Sequence, residues 1–161
     1  MTKPSLALIL VCLLAVPAQA QNAGQIARVR AGASCPGCNL FQGDFSGIEA
    51  RGQNLSGARI RQADLSLATM NRTRFTNADL RDVEAYGGVF SSSNFSGANL
   101  TNSSWVGAYL EGSNFSGATL SGANFSGAQL ARATGLTQRQ LNAACGDAST
   151  TLPGRLTIPA C

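Results

Sequence analysis

The chain is expected to fold as a solenoid built on a five-residue unit, and three regularities of its sequence predict this. Residues 38–132 keep a period of five without an insertion or deletion, which gives 95 residues, or 19 units. The central position of each unit holds eight Leu, six Phe, Ile60, Met70, Trp105, Ala50 and Ala85, so six of the seven Phe and the only Trp fall on one position in five. Two residues earlier the side chain is small, with nine Ala, three Ser and two Gly, while the closing position holds ten of the 18 Gly. A period of five fits neither the helical 3.6 nor the strand period of 2. It is a structural repeat.

The unit reads small–polar–bulky–Ser–Gly, as in Ser113-Asn114-Phe115-Ser116-Gly117. Its Ala-(Asp/Asn)-Leu core, clear at Ala63-Asp64-Leu65, Ala78-Asp79-Leu80 and Ala98-Asn99-Leu100, resembles the pentapeptide-repeat family. That resemblance implies an all-β fold, a right-handed quadrilateral β-helix with four pentads per coil. Nineteen pentapeptides then make just under five coils. At a rung spacing of about 4.8 Å this is a rod roughly 23 Å long. Central and small residues would face inward and the other three positions outward.

Taken in order, residues 1–20 read as a secretory leader. Lys3 supplies a positive start, an apolar run follows, and Ala18-Gln19-Ala20 is a small-residue cleavage site. The run is too short to span a bilayer, so no stable membrane insertion is expected. Cleavage after Ala20 would deliver the chain to the periplasm or outside the cell. Residues 21–37 read as a lead-in that covers Phe41. Within 38–132, Ile48, Gln53 and Val83 stand where small residues are usual, and Ala50 and Ala85 where bulky ones are. Trp105 comes one coil after Ala85, so the largest side chain has a small one beneath it, as close packing requires. Gln53 is expected to reach solvent or the N-terminal segment. In 133–161, Thr137-Gln138-Arg139-Gln140 is a capping-box pattern, followed by Leu141, Ala144 and Gly146. It predicts a short C-terminal capping helix over the open coil, then an extended tail tied back by Cys161.

Removal of the leader leaves Cys35, Cys38, Cys145 and Cys161. An even number in an oxidising compartment favours disulfides. Three connectivities are open. Pairing Cys35 with Cys38 and Cys145 with Cys161 would pin the two ends, and is the favoured one. Cys35-Pro36-Gly37-Cys38 could instead be a thiol redox pair. Cys145 and Cys161 are not spaced for zinc, so no metal site is expected.

The charge balance narrows the function. Losing Lys3 leaves eleven cations against eight acids, a net +3. The resemblance brings with it a known activity, DNA mimicry by a strongly acidic rod on a topoisomerase. A mildly basic, exported chain does not suit it. The Arg residues between Glu49 and Glu84 are interleaved with acids rather than clustered, so nucleic acid is not an expected partner either. Coil spacing stacks Arg61 under Arg81, lines up Asp44, Asp64 and Glu84, and suggests the cross-corner pairs Arg61–Asp64 and Arg81–Glu84. There is no His in the chain. No Ser has an evident base, and a packed β-helix has no internal pocket. Neither catalysis nor a cofactor is expected. Asn94-Phe95-Ser96 and Asn114-Phe115-Ser116 look like glycosylation sites, but any Asn–bulky–Ser unit does.

One surface feature exceeds what the repeat requires. Tyr86 and Val106 fall on the same outward position one coil apart, as do Val89 and Tyr109 on the next face, and Leu67 stands at the corner between them. Such a patch suits a protein partner or self-association. Plain strand preference explains the Val and Tyr equally well. The expected function is therefore a non-catalytic scaffold, structural or protein-binding. A module for a glycan or other extended polymer, using the Ser and Asn ladders, is the alternative.

Overall fold

The computed structural model describes residues 21–161. The expected leader and its cleavage site lie outside the described residues. The unit folds the same way at every repeat. Its central carbonyl accepts from the N–H three residues on, as from Gly43 to Leu40 at 3.0 Å and from Ala98 to Phe95 at 3.0 Å. This closes a β-turn whose third residue needs positive φ, which explains the Gly at the closing position. At Leu67 the same conformation is imposed on a bulky residue, with φ 58°.

Turns every five residues leave little room for strands, and the extended residues meet as single parallel rungs. They form four series, each stepping by twenty residues: Asn39–Arg59–Asp79–Asn99–Thr119, Asp44–Asp64–Glu84–Ser104–Asn124, Glu49–Thr69–Val89–Tyr109–Gln129 and Asn54–Arg74–Asn94–Asn114–Thr134. The chain is thus a β-helix whose ladders replace conventional strands. Central side chains fill its interior. Phe75, Phe95 and Phe115 stack in a column, with ring centroids 5.0 and 5.1 Å apart. Thr73, Ser93 and Ser113 are buried at small positions. The Ser93 and Ser113 hydroxyls donate to the carbonyls of Met70 and Phe90 at 3.0 and 2.8 Å, so the polar column is satisfied.

The N-terminal segment holds a helix that the sequence reading does not anticipate, α1 (Ala23–Arg30), capped by the Asn22 side chain accepting from Gln25 N–H. Val29 is buried and Ile26 packs beside it on the first coil. Gln53 is buried at 3 % exposure and donates to the Val29 carbonyl at 3.0 Å, so it ties this helix to the rod. The repeat register also starts one unit earlier than residue 38. Ala33-Ser34-Cys35-Pro36-Gly37 has Cys35 buried at the central position, and Cys35 and Gly37 N–H donate to Asn54 and Ser56 carbonyls.

At the other end the helix α2 (Gln138–Leu141) carries the full capping box at Thr137 and Gln140. The Gln140 amide donates to the carbonyls of Phe115 and Ala118, both at 2.9 Å. Beyond it the chain adds rungs rather than trailing away: Cys145 pairs with Asn124, Thr151 with Gln129, and Ala160 with Gly146. Asp147 anchors this stretch. Its carboxylate accepts from the Ser149 hydroxyl at 2.7 Å and Gly127 N–H at 3.0 Å. These bonds, with others from Ser149 N–H and the Thr150 hydroxyl, lower its pKa from 3.8 to about 2. A carboxyl held low in the folded chain stabilises it fully above 3.8, and that contribution is lost as pH falls through about 2. Limited proteolysis with pepsin is expected to find the tail beyond Asp147 protected near pH 4 and progressively cut toward pH 2, with D147A cut at both.

Candidate functional site

The outward corner between the second and third ladders carries the apolar residues singled out above. Leu67 N–H donates to the Tyr86 carbonyl at 2.8 Å and Gly87 N–H to the Val106 carbonyl at 2.9 Å, which places these three coils in register. Val89 bridges Tyr109 on the adjoining face. Leu67, Tyr86 and Tyr109 are 62 %, 58 % and 45 % exposed, and are the exposed large hydrophobics among the described residues. Val89 and Val106 lie half-buried between them. Leu67 leans across the corner: a Cβ built on Gly87 would stand 3.0 Å from its Cδ2. The other non-Gly residues in this strained backbone conformation are Gln, Arg, Asn, Asp or Ser. Leu67 is the apolar one. Left-handed backbone on a branched side chain costs on the order of 1 kcal/mol, and a side chain 62 % exposed returns little to the fold.

The acidic ladder borders this corner. Asp44, Asp64 and Glu84 occupy successive rungs, and all three are exposed. Asp44 is compensated by Arg30 at 3.4 Å. The cross-corner pairs expected from spacing do not form. Arg81 instead binds Asp79 at 2.6 Å, and Arg61 approaches Asp82 at 4.0 Å. Asp79 and Arg81 flank the inward Leu80, so both point out of one face, whereas residues three apart look out of different faces. Among the described residues neither Asp64 nor Glu84 has a cation within ion-pair distance.

The Ser and Asn ladders do local work. The side-chain oxygens of Asn54, Asn94, Asn114 and Asn124 accept from the N–H of Ser56, Ser96, Ser116 and Ser126 at 2.9–3.1 Å. These bonds hold the corner turns, and they take up part of the acceptor capacity that a saccharide hydroxyl would use. The cysteines stand as two couples: Cys35 faces Cys38 with Cα atoms 5.5 Å apart, and Cys145 faces Cys161 with Cα atoms 4.8 Å apart. Cys35 and Cys38 are buried, which shields their sulfurs from an exchanging thiol. Among the described residues no helix is long and apolar enough to cross a membrane.

The profile of the Pentapeptide repeats family matches the chain in eight copies, over 33–72, 44–82, 66–97 and 93–132. Among solved structures the chain is similar to a pentapeptide repeat protein of the Arabidopsis thaliana thylakoid lumen, at 30 % identity over 63 % of this chain and 70 % of that one, with a TM-score of 0.40. It is also similar to QnrB1, a plasmid-mediated fluoroquinolone resistance protein, at 21 % identity over 68 % of this chain, with a TM-score of 0.44. HetL, a pentapeptide repeat protein involved in heterocyst differentiation regulation in the cyanobacterium Nostoc, matches at 20 % identity over 81 % of this chain, with a TM-score of 0.38. The matched parts span 60 % of QnrB1 and 64 % of HetL. No match to a curated protein is found.

Proposed function

The chain belongs to the pentapeptide-repeat family, and from that premise we propose that it is an exported, non-catalytic scaffold that docks a protein partner on the corner formed by Leu67, Tyr86, Val89, Val106 and Tyr109. Its frame is a right-handed quadrilateral β-helix, in which the unit at 33–37 and the nineteen units of 38–132 make about five coils between α1 and a capping α2. The leader-like residues 1–20 and the two cysteine couples support export. They suit an oxidising compartment, periplasmic or extracellular.

The observation that carries the docking reading is Leu67: a strained, exposed leucine beside two exposed tyrosines, on a rod with no other exposed large hydrophobic side chain among the described residues. Tyr is enriched where interfaces carry their energy, and each such anchor contributes about 2 kcal/mol or more. The glycan reading finds less support, because the Asn oxygens it needs are engaged in the turns. Affinity capture from envelope extracts with the oxidised chain is expected to recover a partner that Y86S/Y109S does not recover, at unchanged thermal stability. Equal recovery by the double variant ends this reading.

A further inference from the structure

The docking corner is apolar on one side and acidic on the other, and the acids are what specify the occupant. Asp64 and Glu84 are adjacent rungs of one ladder, about 4.8 Å apart. Like charges at that spacing repel. Every other carboxylate described has either a cation within 4.0 Å or, at Asp147, a cage of hydrogen bonds. Asp64 retains the Ser66 N–H on one oxygen, and no cation reaches either group. No cation among the described residues offsets this pair. It lies directly against the patch: Glu84 and Tyr86 flank the inward Ala85 on one face, and Leu67 follows Asp64 by three residues at the corner.

We propose that the occupant is a segment of another protein in which Arg or Lys stands beside apolar side chains, the cation bridging Asp64 and Glu84 while the apolar residues cover Leu67, Tyr86 and Tyr109. This inference rests on the docking reading above and adds the chemistry of the partner. A guanidinium can bind two carboxylates at once, and it stacks on aromatic rings such as that of Tyr86. The same pair argues against a second copy of this chain. The exposed large apolar side chains among the described residues are those of this corner, so a copy that offers them brings its own Asp64 and Glu84 against these. The exposed Arg residues without an ion pair, Arg28, Arg59, Arg72, Arg74, Arg139 and Arg155, lie away from this corner, with no exposed large apolar neighbour to accompany them.

The test uses two synthetic peptides of one length, alternating Leu with Arg or Leu with citrulline, the neutral isostere of Arg, titrated against the oxidised chain by fluorescence anisotropy. The Arg peptide is expected to bind about tenfold tighter at low salt, with an advantage that shrinks as salt rises. D64N/E84Q should bind the two alike and melt no lower than the parent chain. Y86S/Y109S should weaken both. Equal binding of the two peptides to the parent chain, no binding of either, or an Arg preference that survives in D64N/E84Q overturns the inference. A fall in the melting temperature of D64N/E84Q by several degrees assigns the acids to the fold and overturns it too. If both peptides bind equally and both are lost with Y86S/Y109S, the docking reading stands without its charge. If neither is affected by Y86S/Y109S, the docking reading itself fails.

Discussion

Trp105→Ala is expected to lower the free energy of unfolding by about 3–5 kcal/mol, the usual range for emptying a buried aromatic site. Trp105 is fully buried. Its ring meets Phe90 and Phe95 edge-on, with centroids 5.1 and 5.3 Å away. Its Nε1 donates to the Ser103 hydroxyl at 2.7 Å, and that hydroxyl donates on to the Leu100 carbonyl at 2.6 Å. Truncation therefore opens a cavity, removes two edge contacts and leaves the hydroxyl one donor short. The Ala85 one coil away is too small to fill the space. The rungs above and below are fixed by backbone bonds, so the coil cannot collapse to close it. Circular dichroism in urea measures the loss. Trp105→Phe, which keeps most of the ring volume, should lose less. A midpoint unchanged in Trp105→Ala would mean that the interior is not packed as described.

Loss of the Cys145–Cys161 couple, as C145S/C161S, is expected to cost about 3 kcal/mol in the chain-entropy account of a loop of this length. The two residues are 16 apart in sequence. The cost should be local. The last coil donates Gly122, Phe125 and Leu130 N–H to carbonyls of Ala143, Cys145 and Thr151. Gly146 N–H in turn donates to the Pro159 carbonyl at 2.8 Å and holds the final residues alongside. Without the covalent tie these rungs become a frayed edge over the core residues Leu120 and Leu130. Hydrogen exchange at Phe125 and Leu130 should quicken, while Phe75 and Phe95, deep in the rod, stay protected. Uniform exchange in both forms would contradict the account.

The rod was legible in the sequence because its unit never slips. Period five sorts Leu, Phe, Ala and Gly onto fixed positions, and steps of twenty then predict which residues share a rung. The Tyr86–Val106 and Val89–Tyr109 neighbours follow from that period together with the four pentads per coil that the family resemblance implies. What escaped it lies where the unit changes chemistry. Cys35 hid the first unit, because a cysteine at a central position reads as a disulfide motif before it reads as core. The helix α1 offers only Ile26 and Val29 as an apolar face, too little for a periodic signal, although Asn22 and Gln25 stand at capping spacing. The ion pairs were misassigned because spacing was counted without direction. Residues flanking one inward side chain share a face, and those around a corner do not. Ser93 and Ser113 read simply as small, while their hydroxyls prove to be bonded to the backbone. The conformational strain at Leu67, which does most to mark the corner, follows from its closing position once the turn is known.

The central claim is that this corner, and no other part of the rod, meets the partner. A photo-crosslinking amino acid placed singly at position 86, 109 or 114 of the chain tests it most directly, since Asn114 lies on a ladder away from the corner. The account predicts one common adduct from positions 86 and 109 and none from position 114. An adduct from 114 with none from 86 and 109 would contradict it.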